Sequence, residues 1–144
     1  MHWSEKIAKD IIKRSPDKEE YVCAAGISPS GSIHIGNFRD IATSYFVYKA
    51  LIKHGKKARL LFSWDEFDRF RKVPVNVKEI APELENEIGK PYVDVKDPYG
   101  CCSSYAEHFE KEFEASLSRF GVKVDFRRQS ENYRSGKYAK YVIQ

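Results

Sequence analysis

Apolar and polar positions alternate along this chain with two different periods, and each change of period predicts an element. Trp3, Ile7, Ile11 and Ile12 recur at helical spacing, which predicts a helix over 3–14 with Ser4 as its N-cap. The polar run SPDKEE ends it. YVCAAG has no helical period and reads as a short buried strand closing at Gly26. Ile35, Phe38, Ala42, Tyr45 and Phe46 restore the helical period to about Lys53, with Gly55 as the stop. ARLLFSWD gives a second strand from Ala58 to about Ser63, with Asp65 just past its end. From Ser104, the residues Tyr105, Phe109, Phe113, Leu117 and Phe120 mark another amphipathic helix, closed by Gly121, and VKVDF follows as a third strand. Residues 66–104 have no regular period, are rich in proline and charge, and read as an insertion.

Strand, glycine-rich loop, helix and strand make one βαβ unit, which crosses over right-handed and builds a parallel sheet. The expected class is therefore α/β. The loop of the unit, GISPSGSIHIGN, spans 26–37 and lies past the carboxyl end of the first strand, where open parallel sheets bind ligands. Free amides at the start of the following helix favour phosphate. Gly31 and Gly36 would let a nucleotide approach the backbone, His34 can donate to a phosphoryl oxygen, and Asn37 would project nearby. A tight turn capped by Ser30 or Ser32, with His34 merely exposed, accounts equally well for the pattern. The spacing matches neither the P-loop nor the dinucleotide G-x-G-x-x-G.

Composition narrows the class. The 144 residues can bury a real core, and an aromatic content of 14% argues against disorder. No apolar run is long enough for a membrane span. An odd count of 3 cysteines, two of them adjacent, fits a reducing, cytoplasmic setting with thiols or metal rather than a disulfide framework. The net charge of +4 permits a polyanionic partner without demanding one. Cys23 reads as a small core residue and His54 as a solvated helix end. KHGKKAR, 53–59, reads as a solvated turn more readily than as a contact for nucleic-acid phosphate. YRSGKYAKYVIQ stays partly apolar to its last residue without a stop signal, so the chain is expected to be a piece of something longer.

Two further clusters carry candidate chemistry. WDEFD places Trp64, Asp65, Glu66 and Asp68 at the end of the second strand, where carboxylates and an aromatic face would suit a cationic ligand. An ion-pair network with Arg69, Arg71 and Lys72 explains them equally well. DPYGCCSSYAEH offers Asp97, Cys101, Cys102 and His108, ligand types that zinc accepts. Vicinal cysteines strain a chelate, and spacing alone favours two loop thiols and a surface histidine.

HIGN, 34–37, following PSGS, resembles the HIGH signature of class I aminoacyl-tRNA synthetases. GISPSGSIHIGNFRD, SWDEFDRFRKVP and DPYGCCSSYAEHF, in that order, resemble the class I lysyl-tRNA synthetase family over essentially the whole chain. Asn37 stands where the general signature ends in histidine, and asparagine is usual in this family.

The resemblance implies a Rossmann-like sheet and an enzyme that activates lysine with ATP and Mg2+, then passes it to tRNA(Lys). It implies His34 and Asn37 as catalytic donors. It assigns ATP to Pro29, Ser30, Gly31, His34, Gly36 and Asn37 and places Gly26 and Ser28 against lysine; within WDEFD, Asp65 and Asp68 are the candidates for the cationic side chain. It implies a structural zinc held by Asp97, Cys101, Cys102 and His108, with cysteine at 102 where histidine is frequent. The second class I signature, the KMSKS loop, has no counterpart here. Residues 1–144 are thus expected to form the N-terminal part of a catalytic domain, with little aminoacylation activity alone. A nucleotidylyltransferase of the HIGH superfamily and a non-catalytic fragment binding nucleotide or zinc are the alternatives.

Overall fold

A computed structural model describes residues 1–142. The elements run α1 (Trp3–Arg14), β1 (Tyr21–Ile27), α2 (Ile35–Lys53), β2 (Ala58–Trp64), α3 (Val75–Lys78), α4 (Tyr105–Arg119), β3 (Asp125–Arg128), α5 (Gln129–Arg134) and α6 (Ala139–Val142). Two 3-10 turns, Pro82–Glu87 and Tyr92–Asp94, lie between α3 and α4. The sheet is parallel in the order β1-β2-β3. Its register pairs Ile27 with Trp64 and Trp64 with Arg128, so all three strands end level at one edge. The loops after each strand therefore meet there, as the α/β reading required.

Two apolar cores share one helix. The first joins the sheet to α1 and α2 around Ile41, Leu51, Leu60, Phe62 and Trp64. The second gathers Phe70, Val77, Leu84, Tyr92 and Val95 from the insertion. α4 bridges them: Tyr105 and Phe109 belong to the second, Phe113 and Leu117 to the first. The insertion is thus a packed subdomain, not an irregular strap. Its short turns space apolar residues without a period, so the sequence pattern could not reveal it.

Several expectations need correction. His2, not Ser4, caps α1: its ring accepts the Ser4 N–H at 3.4 Å. α1 buries Ser4 and Ala8, while Trp3 and Ile7 stay 42% and 41% exposed. Small residues let α1 approach α2 closely; Ile11 and Ile12 still pack half-buried against the first core, and only Trp3 and Ile7 are left outside. On α2 the buried line is Ile41, Val47, Ala50 and Leu51, whereas Ile35 is 80% exposed. Phe120 is exposed beyond the end of α4. β3 starts at Asp125, later than VKVDF suggests, because its ladder with β2 runs from Leu61–Asp125 to Trp64–Arg128. The stops at Gly55 and Gly121 and the Ser104 cap of α4 fall as expected. Cys23 is buried in the first core.

The free edge of β1 is partly satisfied by α2. Asp40 accepts the Gly26 N–H at 3.3 Å, and Ser44 donates to the Ala24 carbonyl at 2.7 Å. The basic 53–59 stretch is engaged by carboxylates: Lys53 and His54 meet Glu5 at 2.6 and 2.8 Å, and Arg59 meets Glu20 at 3.2 Å. His54 is therefore a paired helix-end residue, not merely a solvated one. No helix of the described residues is long and apolar enough to cross a membrane.

Candidate functional site

The loop from Ser28 to His34 leaves β1 at the carboxyl edge and turns into α2. His34 is the N-cap of α2, and its Nδ1 accepts the Gly36 N–H at 3.0 Å. An acceptor at Nδ1 leaves the proton of a neutral ring on Nε2. The exposed imidazole thus presents a donor away from the helix. Gly36 makes this geometry available: a Cβ there would sit 2.8 Å from His34 Cε1. Asn37 is half-buried on the same first turn, and its N–H reaches the His34 carbonyl at 3.0 Å. His34, Gly36 and Asn37 therefore share the opening turn of one helix.

The rest of the loop is held at two points. Ser28 Oγ donates to Asp68 Oδ2 at 2.6 Å, and the Ser30 carbonyl accepts from the Tyr105 hydroxyl at 2.9 Å. Pro29 between them is buried, so it anchors the loop rather than presenting a surface, while Ser30 is exposed. Gly26 lies within β1 with its N–H already bonded to Asp40. A Cβ at Gly26 would meet the Ser63 carbonyl oxygen at 2.9 Å, so the residue is fixed by strand packing.

The WDEFD cluster divides into two inward and two outward residues. Trp64 is fully buried and donates from Nε1 to Glu114 at 2.9 Å. Glu66 is buried too and accepts three bonds from the start of α5: Gln129 N–H at 3.0 Å, Ser130 N–H at 2.9 Å and Ser130 Oγ at 2.6 Å. Both are occupied with structure. Asp65 and Asp68 instead line a cavity of about 360 Å³ together with Phe67, Gln129, Tyr133 and Tyr138. Burial, with Asp68 and Glu66 adding to it, pushes the Asp65 carboxyl above its ordinary range. Among the described residues, no ion pair joins Asp65 or Asp68 to Arg69, Arg71 or Lys72. The structure therefore opposes the ion-pair explanation of these two carboxylates. It leaves paired acids beside aromatic rings, an environment that suits a cation.

Gln129, Tyr133 and Tyr138 were not among the residues singled out from the sequence. They come from β3–α5 and the turn after it, and only the parallel register carries that segment to the strand ends. The Tyr133 ring stacks on Phe67 at 5.1 Å, and the Tyr138 hydroxyl bonds Gln129 Oε1. These contacts build the aromatic wall.

The third group lies at the start of α4. One ligand atom each from Asp97, Cys101, Cys102 and His108 falls within 4.8 Å of the others. Cys101 Sγ is 3.2 Å from His108 Nδ1 and 3.5 Å from Cys102 Sγ, and His108 Nδ1 is 3.4 Å from Asp97 Oδ1. A tetrahedral zinc with ordinary bond lengths separates its sulfur and nitrogen ligands by about 3.6 Å and two sulfurs by about 3.8 Å. The Cys101–His108 and Cys101–Cys102 spacings are within about half an ångström of that, while the whole set spans up to 4.8 Å. The donor types therefore suit zinc.

Asp97 has a second task. Its Oδ2 accepts the Cys101 and Cys102 N–H groups, each at 2.7 Å, and Oδ1 accepts from Tyr99 at 3.0 Å. Burial raises its carboxyl, but these donors outweigh burial and hold it below the usual range. The carboxylate thus folds the loop that brings the two thiols together. The Tyr99 ring stacks on His108 at 4.3 Å and fixes the imidazole plane.

A parallel sheet with a capped, glycine-bearing turn past its first strand, and a separate cavity lined by acids and aromatic rings past its second, defines an α/β domain of Rossmann type. The chain belongs to the family described as tRNA synthetases class I (K), whose sequence profile matches residues 1–144. It is 49% identical over 142 residues to a lysine–tRNA ligase of Thermococcus kodakarensis, covering 99% of this chain and 26% of that protein. Against lysine–tRNA ligases of Pyrococcus horikoshii and Treponema pallidum the identities are 44% and 42%, each with 99% of this chain and 27% of the relative covered. The chain thus spans about a quarter of the length of these relatives.

Proposed function

We propose that this chain carries the ATP and lysine sites of a class I lysine–tRNA ligase. In the first step a carboxylate oxygen of lysine attacks the α-phosphorus of ATP. The bond from that phosphorus to the bridging oxygen breaks, and pyrophosphate leaves with Mg2+. Negative charge grows on the phosphoryl oxygens in the transition state, so donors aimed there accelerate the step. His34, donating from Nε2, and Asn37, donating from its carboxamide, fill that role. Exposed backbone around Ser30 and Gly31 and the open face of Gly36 leave room for the nucleotide.

The lysine side chain enters the cavity between Asp65 and Asp68, and its ammonium group offsets the repulsion between the two carboxylates. The Ser28 hydroxyl keeps Asp68 oriented. Gly26 borders this end of the sheet. Asp97, Cys101, Cys102 and His108 would hold a zinc ion that fixes the insertion against α4, with all four positions taken by protein. Transfer of the lysyl group to tRNA(Lys) belongs to the whole length of the relatives.

The observation that carries this reading is the pairing of two features at one sheet edge: a donor-bearing helix turn after β1 and an acid–aromatic cavity after β2. Lysine-dependent exchange of pyrophosphate into ATP tests it. Exchange that requires lysine, at a rate well below that of a full-length relative, supports the proposal. Exchange without lysine would indicate a nucleotidylyltransferase instead, and ATP binding without exchange would indicate a non-catalytic fragment.

A further inference from the structure

The insertion touches the nucleotide loop through a side chain that no part of the chemistry above employs. Tyr105 opens α4 and is fully buried, with its ring 5.1 Å from Phe70 and 4.7 Å from Phe109. That packing requires a ring but not a hydroxyl. The hydroxyl reaches out of the aromatic cluster and donates to the Ser30 carbonyl at 2.9 Å, across 75 positions of sequence. Burial pushes the phenol well above its ordinary range, so it stays a donor at all physiological pH values.

Its place in the chain links two sites. Cys102 precedes Tyr105 by one turn of chain and His108 follows it by one turn of helix. The end of α4 that aims the hydroxyl is therefore bracketed by members of the metal-ligating cluster. On the loop side, Ser28 is tied to Asp68 and the Ser30 N–H folds back to the Ser28 carbonyl at 2.8 Å. Among the described residues, Ser30 is the last one hydrogen-bonded to the insertion before the chain reaches His34. A shift of the α4 end would pass to the loop through this bond.

We propose that Tyr105 is a positioning residue for the nucleotide loop, and that the Asp97–Cys101–Cys102–His108 cluster sets the loop's conformation through it. This inference rests on reading residues 28–37 as the nucleotide site. The metal group is then not only a staple for the insertion; its occupancy is read out at the opposite end of a two-step linkage of helix turn and hydrogen bond.

Amide hydrogen exchange on the zinc-loaded protein tests this, comparing wild type with Tyr105→Phe, which keeps the ring and the core. Exchange in residues 30–33 should rise about 2- to 10-fold in the variant, the loss of one ordinary hydrogen bond, while Ser28 stays tied to Asp68 and β2 stays protected. Stripping zinc from the wild type should raise exchange in the same segment, and should add little in Tyr105→Phe, because the linkage is already cut. Mg·ATP should bind the variant more weakly by a similar factor, with lysine affinity unchanged, a split that general destabilisation would not give. Unchanged loop exchange in Tyr105→Phe overturns the proposal, as does a zinc effect of equal size in both proteins or a faster loop with undiminished ATP affinity. If zinc removal also releases β2, the loaded-protein comparison decides alone. Should Mg·ATP fail to bind the wild type, the nucleotide reading falls, and loop exchange still decides whether the tether exists.

Discussion

Replacing Asp65 with asparagine separates binding from stability within one side chain. Its carboxyl is pushed upward by burial and then by Asp68 and Glu66. A carboxyl whose folded pKa is raised favours folding most at low pH, and that contribution is lost as pH rises through the folded value. At neutral pH the ionised group therefore opposes folding, and Asp65→Asn should hold or raise the melting temperature. Lysine binding should move the other way. Unit charges about 4 Å apart attract by about 4 kcal/mol at an effective dielectric of 20. The cavity is open to water, so solvent screening removes much of that, and a charged hydrogen bond of about 1.5–3 kcal/mol is the better measure. That corresponds to about 10- to 150-fold weaker lysine binding. Titration calorimetry with lysine and, separately, with Mg·ATP is the assay, alongside thermal melts. A lysine affinity within twofold of wild type would refute the assignment, and so would an equal loss of lysine and ATP affinity. The wild type should also bind lysine more weakly as pH falls through the raised Asp65 value, a dependence absent from the variant.

Other outcomes follow from the same geometry. Gly36→Ala places a methyl group 2.8 Å from the His34 ring, so the ring must swing off its cap; Mg·ATP binding should weaken with little change in lysine binding, as calorimetry would show. Removing zinc with a chelator, or substituting Cys102→Ser, should lower the melting temperature by loosening the insertion, and restored zinc should reverse the chelator effect alone. Burial raises the Glu110 carboxyl to about 7 despite its bond to Arg128, so its contribution to stability is full below about 4.5 and lost as pH rises through about 7. Melting curves of Glu110→Gln should therefore lack part of the wild-type decline between those values.

The sequence made the ends of elements and the chemistry of single residues readable, because both are local. Gly55, Gly121 and Ser104 carry their capping roles in their own backbone and hydroxyl chemistry. The alternation of strand, loop and helix announced a parallel sheet, and with it the common edge where His34 and Asp65 lie. Side-chain direction was less legible. Trp3 and Ile7 had the right spacing for a buried face, but Ser4 and Ala8 won it because close helix approach favours small residues. Within WDEFD, nothing local tells Glu66 from Asp68; the difference arises when α5 brings the Gln129 and Ser130 amides to Glu66. The Tyr105–Ser30 bond and the aromatic wall of Tyr133 and Tyr138 are products of long-range topology and had no signal in spacing. The insertion core has a similar origin: Phe70, Val77, Leu84 and Tyr92 converge from loops, 3-10 turns and the single turn of α3, too short to show a period.

In the proposed function a nucleotide's phosphates meet the first turn of α2, with His34 and Asn37 as donors. Backbone amide chemical shifts recorded during a Mg·ATP titration address it directly. The largest changes should fall on residues 30–37, with the His34 ring resonances moving at the same ATP concentrations, and Asn37→Ala should diminish the response. Changes confined to another surface, such as the α1–α2 groove, or no change at 30–37 when ATP saturates, would contradict the account.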